Sequence, residues 1–253
     1  MEYRVLGPVR VRDGARDVPL AGTKQRTVLV ALLLARGEML GDAELSWFLW
    51  GGRPPATLTA QLYTYVSRLR RALGPGARIT RGARGYALST GTSFVDLFRF
   101  RDLAERGGAA LAVGRHRQAA RTLQDALALW RGPALADVSD HLSGAETPAL
   151  EEWRIRALSG RIEADLALGR HARLVPELTG LTDRHPLHEG FRAQLMAALD
   201  RGGRRAEALA VYDRTRRLLG SELGVEPGPL LRAAHQALLT SAPCPARLAG
   251  RRY

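Results

Sequence analysis

The order of signals along the chain predicts an α+β winged helix-turn-helix N-terminal domain followed by an all-α, tetratricopeptide-like helical domain. Three observations predict it. Short strand signals, three amphipathic helices and a closing hairpin fill residues 1–92, after which strand signals stop and helical periodicity runs to about residue 240. A glycine-led phrase recurs in that second part as Gly114-Arg115-His116, Gly169-Arg170-His171 and Gly203-Arg204-Arg205. Its last two starts lie 34 residues apart, the period of tetratricopeptide helical pairs. Positive charge is densest at the start. Residues 1–90 carry 14 basic and 6 acidic side chains, a net of +8, while residues 91–253 carry 24 and 19, a net of +5.

The elements follow in order. Tyr3-Arg4-Val5-Leu6, Val9-Arg10-Val11-Arg12 and Val18-Pro19-Leu20 read as short strands. Asp13-Gly14 is a hairpin turn, because glycine accepts positive φ, and Pro19 cannot donate to a ladder, so the third run belongs at an edge. Thr23, with Gly22 competing, is a candidate N-cap for a first helix in which Val28, Leu29, Leu32 and Leu33 form the apolar stripe and Gly37 the stop. Asp42 caps a second helix with Leu45, Phe48 and Leu49 inward. Arg53-Pro54-Pro55 is a stiff loop. Thr57 opens a third helix that runs to Leu73 and ends at Gly74-Pro75-Gly76. Arg78 to Arg81 and Tyr86 to Leu88 are strands around a hairpin tip. A helix-turn-helix closed by a β-hairpin wing has these last pieces in this order. Helices are then expected near 94–112, 115–130, 146–168, 170–184, 187–201, 203–220 and 228–240, with an irregular insert around Gly132-Pro133 and Gly144. The expected domains are 1–92 and 93–240, with a disordered tail over 241–253.

Composition narrows the function class. The formal net charge is +13 in 253 residues, which points to a polyanionic partner, nucleic acid ahead of a membrane surface. Of the 38 basic residues only Lys24 is a lysine, a usage typical of a GC-rich genome, so distribution says more than the total. No apolar run approaches the length of a membrane span, and no charged-then-apolar leader is present, so a cytoplasmic protein is expected. Cys244 is the only cysteine, which excludes an intrachain disulfide and a Cys-x-x-Cys metal cluster. Phosphate-loop, nucleophile-elbow and His-Glu-x-x-His motifs are absent from the sequence. His185 and His188 have no thiol or carboxylate constellation around them and read as solvated or packing residues. Glu151 and Glu152 are adjacent, so they diverge on a helix. No enzymatic activity, cofactor or metal is expected.

The third helix carries the chemistry. Leu58, Leu62, Val66, Leu69 and Leu73 make one buried stripe. The opposite face presents Gln61, Thr64, Tyr65, Arg68 and Arg71, with Ser67 and Arg70 at its margins. Gln61 and Thr64 are candidates for base edges, Tyr65 for a base methyl or a phosphate, and Arg68, Arg70 and Arg71 for phosphates. A solvated helix usually mixes charge signs, whereas here three arginines have no balancing acid between Thr57 and Leu73. Arg81 and Arg84 flank the hairpin tip and are candidates for the minor groove or its phosphates. Lys24 and Arg26 open the first helix, where backbone amides also favour an anion. Trp130 and Trp153 read as core of the helical domain.

Residues 1–90 resemble the DNA-binding domain of OmpR/PhoB-type response regulators, through Tyr65-Val66-Ser67-Arg68-Leu69-Arg70-Arg71-Ala72-Leu73 and Arg84-Gly85-Tyr86. From about residue 3 to 240 the chain is similar to the Streptomyces antibiotic regulatory protein family. The phrases are Val5-Leu6-Gly7-Pro8, Leu49-Trp50-Gly51, Ala128 to Leu135, Ala164 to His171, and Glu222 to Gly228. The resemblance implies a bacterial transcriptional activation domain after the winged helix and activation of antibiotic or other secondary-metabolite gene clusters. It also implies binding to direct repeats in double-stranded DNA as a homodimer, near the −35 region, and recruitment of RNA polymerase through its sigma factor. The loop after the second helix contacts polymerase or DNA in such domains, which makes Trp50 and Arg53 polymerase-contact candidates. Two departures stand out. The stretch Arg81 to Tyr86 replaces a shorter, proline-containing turn of many relatives, and no receiver or nucleotide-binding module is seen. A repressor of the same fold, acting by occlusion, and a tetratricopeptide adaptor that docks protein are the alternative readings.

Overall fold

A computed structural model describes residues 1–240. Cys244 and the tail expected to be disordered lie outside the described residues. In chain order the elements are β1 (Glu2–Arg4), β2 (Arg10–Asp13), β3 (Arg16–Asp17), α1 (Gly22–Leu34), β4 (Leu40–Gly41), α2 (Asp42–Trp50), α3 (Leu58–Leu73), β5 (Arg78–Arg81), β6 (Gly85–Ser89) and β7 (Phe94–Val95). Helices follow: α4 (Asp96–Ala112), α5 (His116–Leu127), α6 (Asp140–Ala167), α7 (His171–Arg184), α8 (Glu189–Arg201), α9 (Arg205–Leu223) and α10 (Pro229–Thr240). The protein is rich in helix, with its strands gathered before residue 96. No helix among the described residues is long and apolar enough to cross a membrane.

The chain divides into two compact units: Met1–Arg106 with Gln124–Ala157, and Gly107–Leu123 with the described residues from Leu158.

In the first unit a sheet runs in the order β3-β2-β1-β7. β1 and β2 pair antiparallel, while β7 lies parallel to β1, with Tyr3 opposite Val95. A second sheet runs β4-β6-β5. Tyr3, Leu6, Leu29, Leu32, Leu45, Leu49, Leu62, Leu69, Leu88, Leu97 and Phe100 are fully buried in this unit. Burial pushes the Tyr3 phenol up to about 12.

Several local details differ from the sequence expectation. The third strand is Arg16–Asp17 rather than Val18 to Leu20. Val18 still donates to Val11 O at 2.9 Å, and the ladder ends at Pro19, which has no N–H. Thr23 sits inside α1, whose N-cap is Ala21. The Ala21 amide donates to Gln25 Oε1 at 2.6 Å. Gly41, not Asp42, is the N-cap of α2. α6 starts at Asp140 and runs through Gly144, where an irregular insert was expected. Trp130 is buried, but in the first unit, edge-on to Phe100 at 5.4 Å. Trp153 lies in the same unit, with the Arg101 guanidinium 3.4 Å from its ring centre.

The second unit is helical. α8 packs on α7, α9 and α10. Ala110, Ala119, Ala120 and Ala164 form one close-packed cluster with Leu111 and Leu168 against it. The recurring phrase has a recurring geometry. Gly114, Gly169 and Gly203 have φ of 72°, 76° and 75°. Arg115, Arg170 and Arg204 then donate back to Ala110 O, Asp165 O and Leu199 O, each at 2.9 to 3.0 Å. This is one helix-terminating turn used at three places, and it needs glycine because its left-handed φ strains other residues. His188 caps α8, its Nδ1 accepting from the Phe191 amide at 3.2 Å.

Candidate nucleic-acid interface

α3 packs on α1, α2 and β5. Leu62, Val66, Leu69 and Leu73 are buried in that contact, and Leu58, at the start of the stripe, is only half-buried. Burial of this stripe fixes the helix rotation and turns the opposite face outward. Thr64, Arg68 and Arg71 are exposed, and Gln61, Tyr65, Ser67 and Arg70 are half-buried. Arg68 and Arg71 have no acid or hydrogen-bond partner among the described residues. Tyr63, which the apolar periodicity does not single out, is 64% exposed just before Thr64.

The other candidates divide by what they touch. Arg70 bends back from α3 and donates through Nε and Nη2 to Ile79 O, at 3.1 and 3.0 Å, tying the helix to the hairpin. Arg81 makes a two-pronged pair with Asp42, at 2.5 and 2.7 Å, and its guanidinium lies 4.5 Å from the Tyr86 ring centre. Arg84 is exposed, with no side-chain partner among the described residues, while its carbonyl accepts from the Asp42 amide at 2.9 Å. The hairpin is thereby fastened to the start of α2. Next to it Gly85 pairs with Gly41, and a Cβ at Gly85 would run into the Leu40 carbonyl.

Lys24 is not free. Its Nζ donates to Leu49 O in the last turn of α2 and sits 5.6 Å from the Trp50 ring centre. Burial lowers its pKa, opposed by Asp140 nearby. Arg26 pairs with Asp137 at 3.2 Å. Trp50 is half-buried, 6.5 Å from the Tyr65 ring and tilted 38° to it. Arg53 is exposed, and its amide donates to Trp50 O at 3.3 Å. The Tyr65 hydroxyl donates to Gln61 Oε1 at 3.4 Å, and Gln61 Nε2 donates to Thr57 Oγ1 at 3.0 Å. Thr64 Oγ1 donates to Ala60 O at 2.8 Å. Lys24, Trp50, Tyr65 and Gln61 are therefore brought into one line, Arg68, Arg71 and Arg84 stand outward, and Arg26 belongs elsewhere.

A second group of residues supports the site, and local sequence patterns did not mark it. Asp96 is 1% exposed and accepts from the amides of Val5 and Leu6, at 2.8 and 3.0 Å. Arg131 stands 3.7 Å from the Asp96 carboxylate, and Asp137 accepts from Val9 N at 2.8 Å. Ser139 donates its amide to Thr27 Oγ1 at 2.9 Å and its hydroxyl to Phe48 O. His141 lies against Trp47, 6.0 Å between ring centres. Residues 131–141 thus grip α1, α2 and the turn before β2 from sequence distances of 112, 91 and 128 positions.

Comparison with known proteins adds a family. The model of the bacterial transcriptional activator domain matches residues 95–239. Regulatory protein AfsR of Streptomyces griseus is 43% identical over 239 residues, covering 94% of this chain and 24% of that protein. Regulatory protein DnrI of Streptomyces peucetius is 38% identical over 254 residues, covering 96% of this chain and 93% of that one. The solved structure of Mycobacterium tuberculosis EmbR in complex with a low affinity phosphopeptide superposes with a TM-score of 0.89 at 35% identity. That match covers 94% of this chain and 64% of EmbR. The chain thus spans about a quarter of AfsR and nearly all of DnrI.

Proposed function

The chain belongs to the Streptomyces antibiotic regulatory protein family, and from that premise we propose that it is a sequence-specific DNA-binding activator of a secondary-metabolite gene cluster. Residues 1–92 act as a winged helix-turn-helix, with α3 as the major-groove helix and the β5–β6 hairpin as the wing. Residues 93–240 act as a tetratricopeptide-like activation domain. The observation that carries this reading is the outward face of α3, where Thr64, Arg68 and Arg71 are exposed and the arginines carry no compensating acid among the described residues. A buried stripe on one side and unpaired guanidinium groups on the other suit a helix whose counter-charge is supplied by phosphate. The hairpin fastened by Arg70 and Arg81 supports a wing held at a fixed angle.

The mechanism is binding. Gln61 and Thr64 read base edges, Arg68 and Arg71 neutralise phosphates, and Arg84 reaches a phosphate of the adjacent minor groove. Two protomers on direct repeats about one helical turn apart would lie on one face of the duplex, leaving the loop with Arg53 for RNA polymerase and its sigma factor. Selection of bound fragments from a GC-rich DNA library, followed by footprinting of the winners, tests this. A protected pair of direct repeats beside a −35 element is the expected result. Protection over the start site would overturn activation in favour of occlusion, and salt-sensitive binding with no enriched sequence would overturn sequence-specific recognition.

A further inference from the structure

We propose that Trp50 and Tyr65 are positioning residues for base reading by Gln61, clamped in place by Lys24. The inference rests on the assignment of α3 to the major groove and names what sets the orientation of its reading side chain. Five contacts carry it, each between residues of one compact unit.

Lys24 Nζ donates to Leu49 O at the C-terminal end of α2, where a cation is favoured by the helix dipole. The same ammonium lies 5.6 Å from the Trp50 ring centre, within cation–π range. Trp50 in turn stands 6.5 Å from Tyr65, within the range of tilted aromatic pairs. Tyr65 then donates its hydroxyl to Gln61 Oε1 at 3.4 Å, while Gln61 Nε2 donates to Thr57 Oγ1 at 3.0 Å.

Both ends of the Gln61 amide are thereby engaged. A primary amide has two acceptor lone pairs and two N–H donors. One of each remains for a partner, and that is the pair a bidentate contact to adenine N6 and N7 uses. An exposed glutamine would otherwise have to be ordered when DNA arrives, at a cost in affinity that pre-organisation removes. On this reading Lys24 and Trp50 act through Gln61 and touch neither phosphate nor polymerase themselves. The preferred base under Gln61 is adenine.

The test uses the full chain and DNA selection with Gln61→Ala, Trp50→Leu, Tyr65→Phe and Trp50→Phe. Base discrimination at one position should fall roughly tenfold in the first three. Trp50→Phe, which keeps a ring against Tyr65, should retain it. The salt slope should stay unchanged throughout, because no phosphate contact is removed. Trp50→Leu should add nothing in the Gln61→Ala background, which a merely structural role would not give. Tyr65→Phe removes one oxygen and keeps the packing, so it decides the matter if Trp50→Leu lowers the melting temperature. Loss of discrimination in Gln61→Ala with full discrimination in Tyr65→Phe and Trp50→Leu overturns this inference and leaves the groove assignment standing. No change in Gln61→Ala overturns both.

Discussion

Arg81 and Asp42 face each other across the gap between the hairpin and α2, with both terminal guanidinium nitrogens on both carboxylate oxygens at 2.5 and 2.7 Å. The two residues are 39 positions apart in sequence. Asp42 is the first residue of α2, a position where an acid is favoured by the helix dipole. Arg81 is thus held to the protein, while Arg84 on the same hairpin has no such partner among the described residues.

That difference predicts different salt behaviour. Arg84→Ala should lower the slope of log affinity against log salt by about one, as the loss of one phosphate contact does. Arg81→Ala should leave the slope nearly unchanged and reduce affinity through a looser hairpin. Titrations of one DNA fragment at several salt concentrations check both. Equal slope changes for the two variants would show that Arg81 leaves Asp42 for phosphate.

Arg70 and Arg68 lie two positions apart on α3 but separate in the same way. Arg70 donates twice to Ile79 O, and charged donors of this kind contribute more than neutral ones. Arg70→Ala should therefore cost about 1–2 kcal/mol of stability in denaturant titration. Arg68→Ala should leave stability within about 0.5 kcal/mol and weaken binding to all DNA sequences alike.

Asp96 predicts a pH dependence. Burial raises its pKa above the ordinary aspartate value, opposed by the amides of Val5 and Leu6 and by Arg131. The folded state then holds the proton more tightly than the unfolded state. The corresponding stability is present below the unfolded pKa and is lost as pH rises through the folded one. In denaturant titrations from pH 3.5 upward, wild type should lose stability relative to Asp96→Asn as pH rises from the usual carboxylate range. A difference that grows in the opposite direction would mean the carboxylate is stabilised by its donors. Asp96→Ala, which orphans two buried amides, should cost about 3–5 kcal/mol in the usual carboxylate range and less as pH rises above it.

What was legible in the sequence was what short-range periodicity and turn chemistry encode. The stripe Leu62, Val66, Leu69 and Leu73 follows from spacing alone, and it determines the outward face of α3. Asp13-Gly14 marked the β2–β3 hairpin, and the Gly-Arg phrase marked three equivalent helix ends. The β4 and β7 strands were missed because two-residue strands have no period. The partners of Lys24, Arg26 and Arg81 were also out of reach. Each is an acid or carbonyl 25 to 111 positions away, and a charge pattern states only that a basic residue is exposed to something, not whether that is phosphate or the protein's own chain. The unexpected start of α6 at Asp140 has the same origin: Ser139 before it is set by Thr27 and Phe48.

The grip of residues 131–141 on α1 and α2 leads to the last prediction, about where the DNA-binding unit ends. A fragment cut after residue 92 retains α3 and the hairpin but loses β7, Asp96, Asp137 and Ser139. The amides of Val5, Leu6 and Val9 then lose the carboxylates they donate to, at about 1–3 kcal/mol for each that stays buried. Phe48 O and Thr27 Oγ1 lose Ser139, and β1 loses its parallel neighbour. Small domains have only about 5–15 kcal/mol in hand, so these losses are a large fraction of the total. Residues 1–92 alone should give broad amide spectra and weak, unselective DNA binding, while residues 1–157 should melt cooperatively. A sharp spectrum and full sequence preference from residues 1–92 would show instead that the segment 131–141 only rests on a unit already complete.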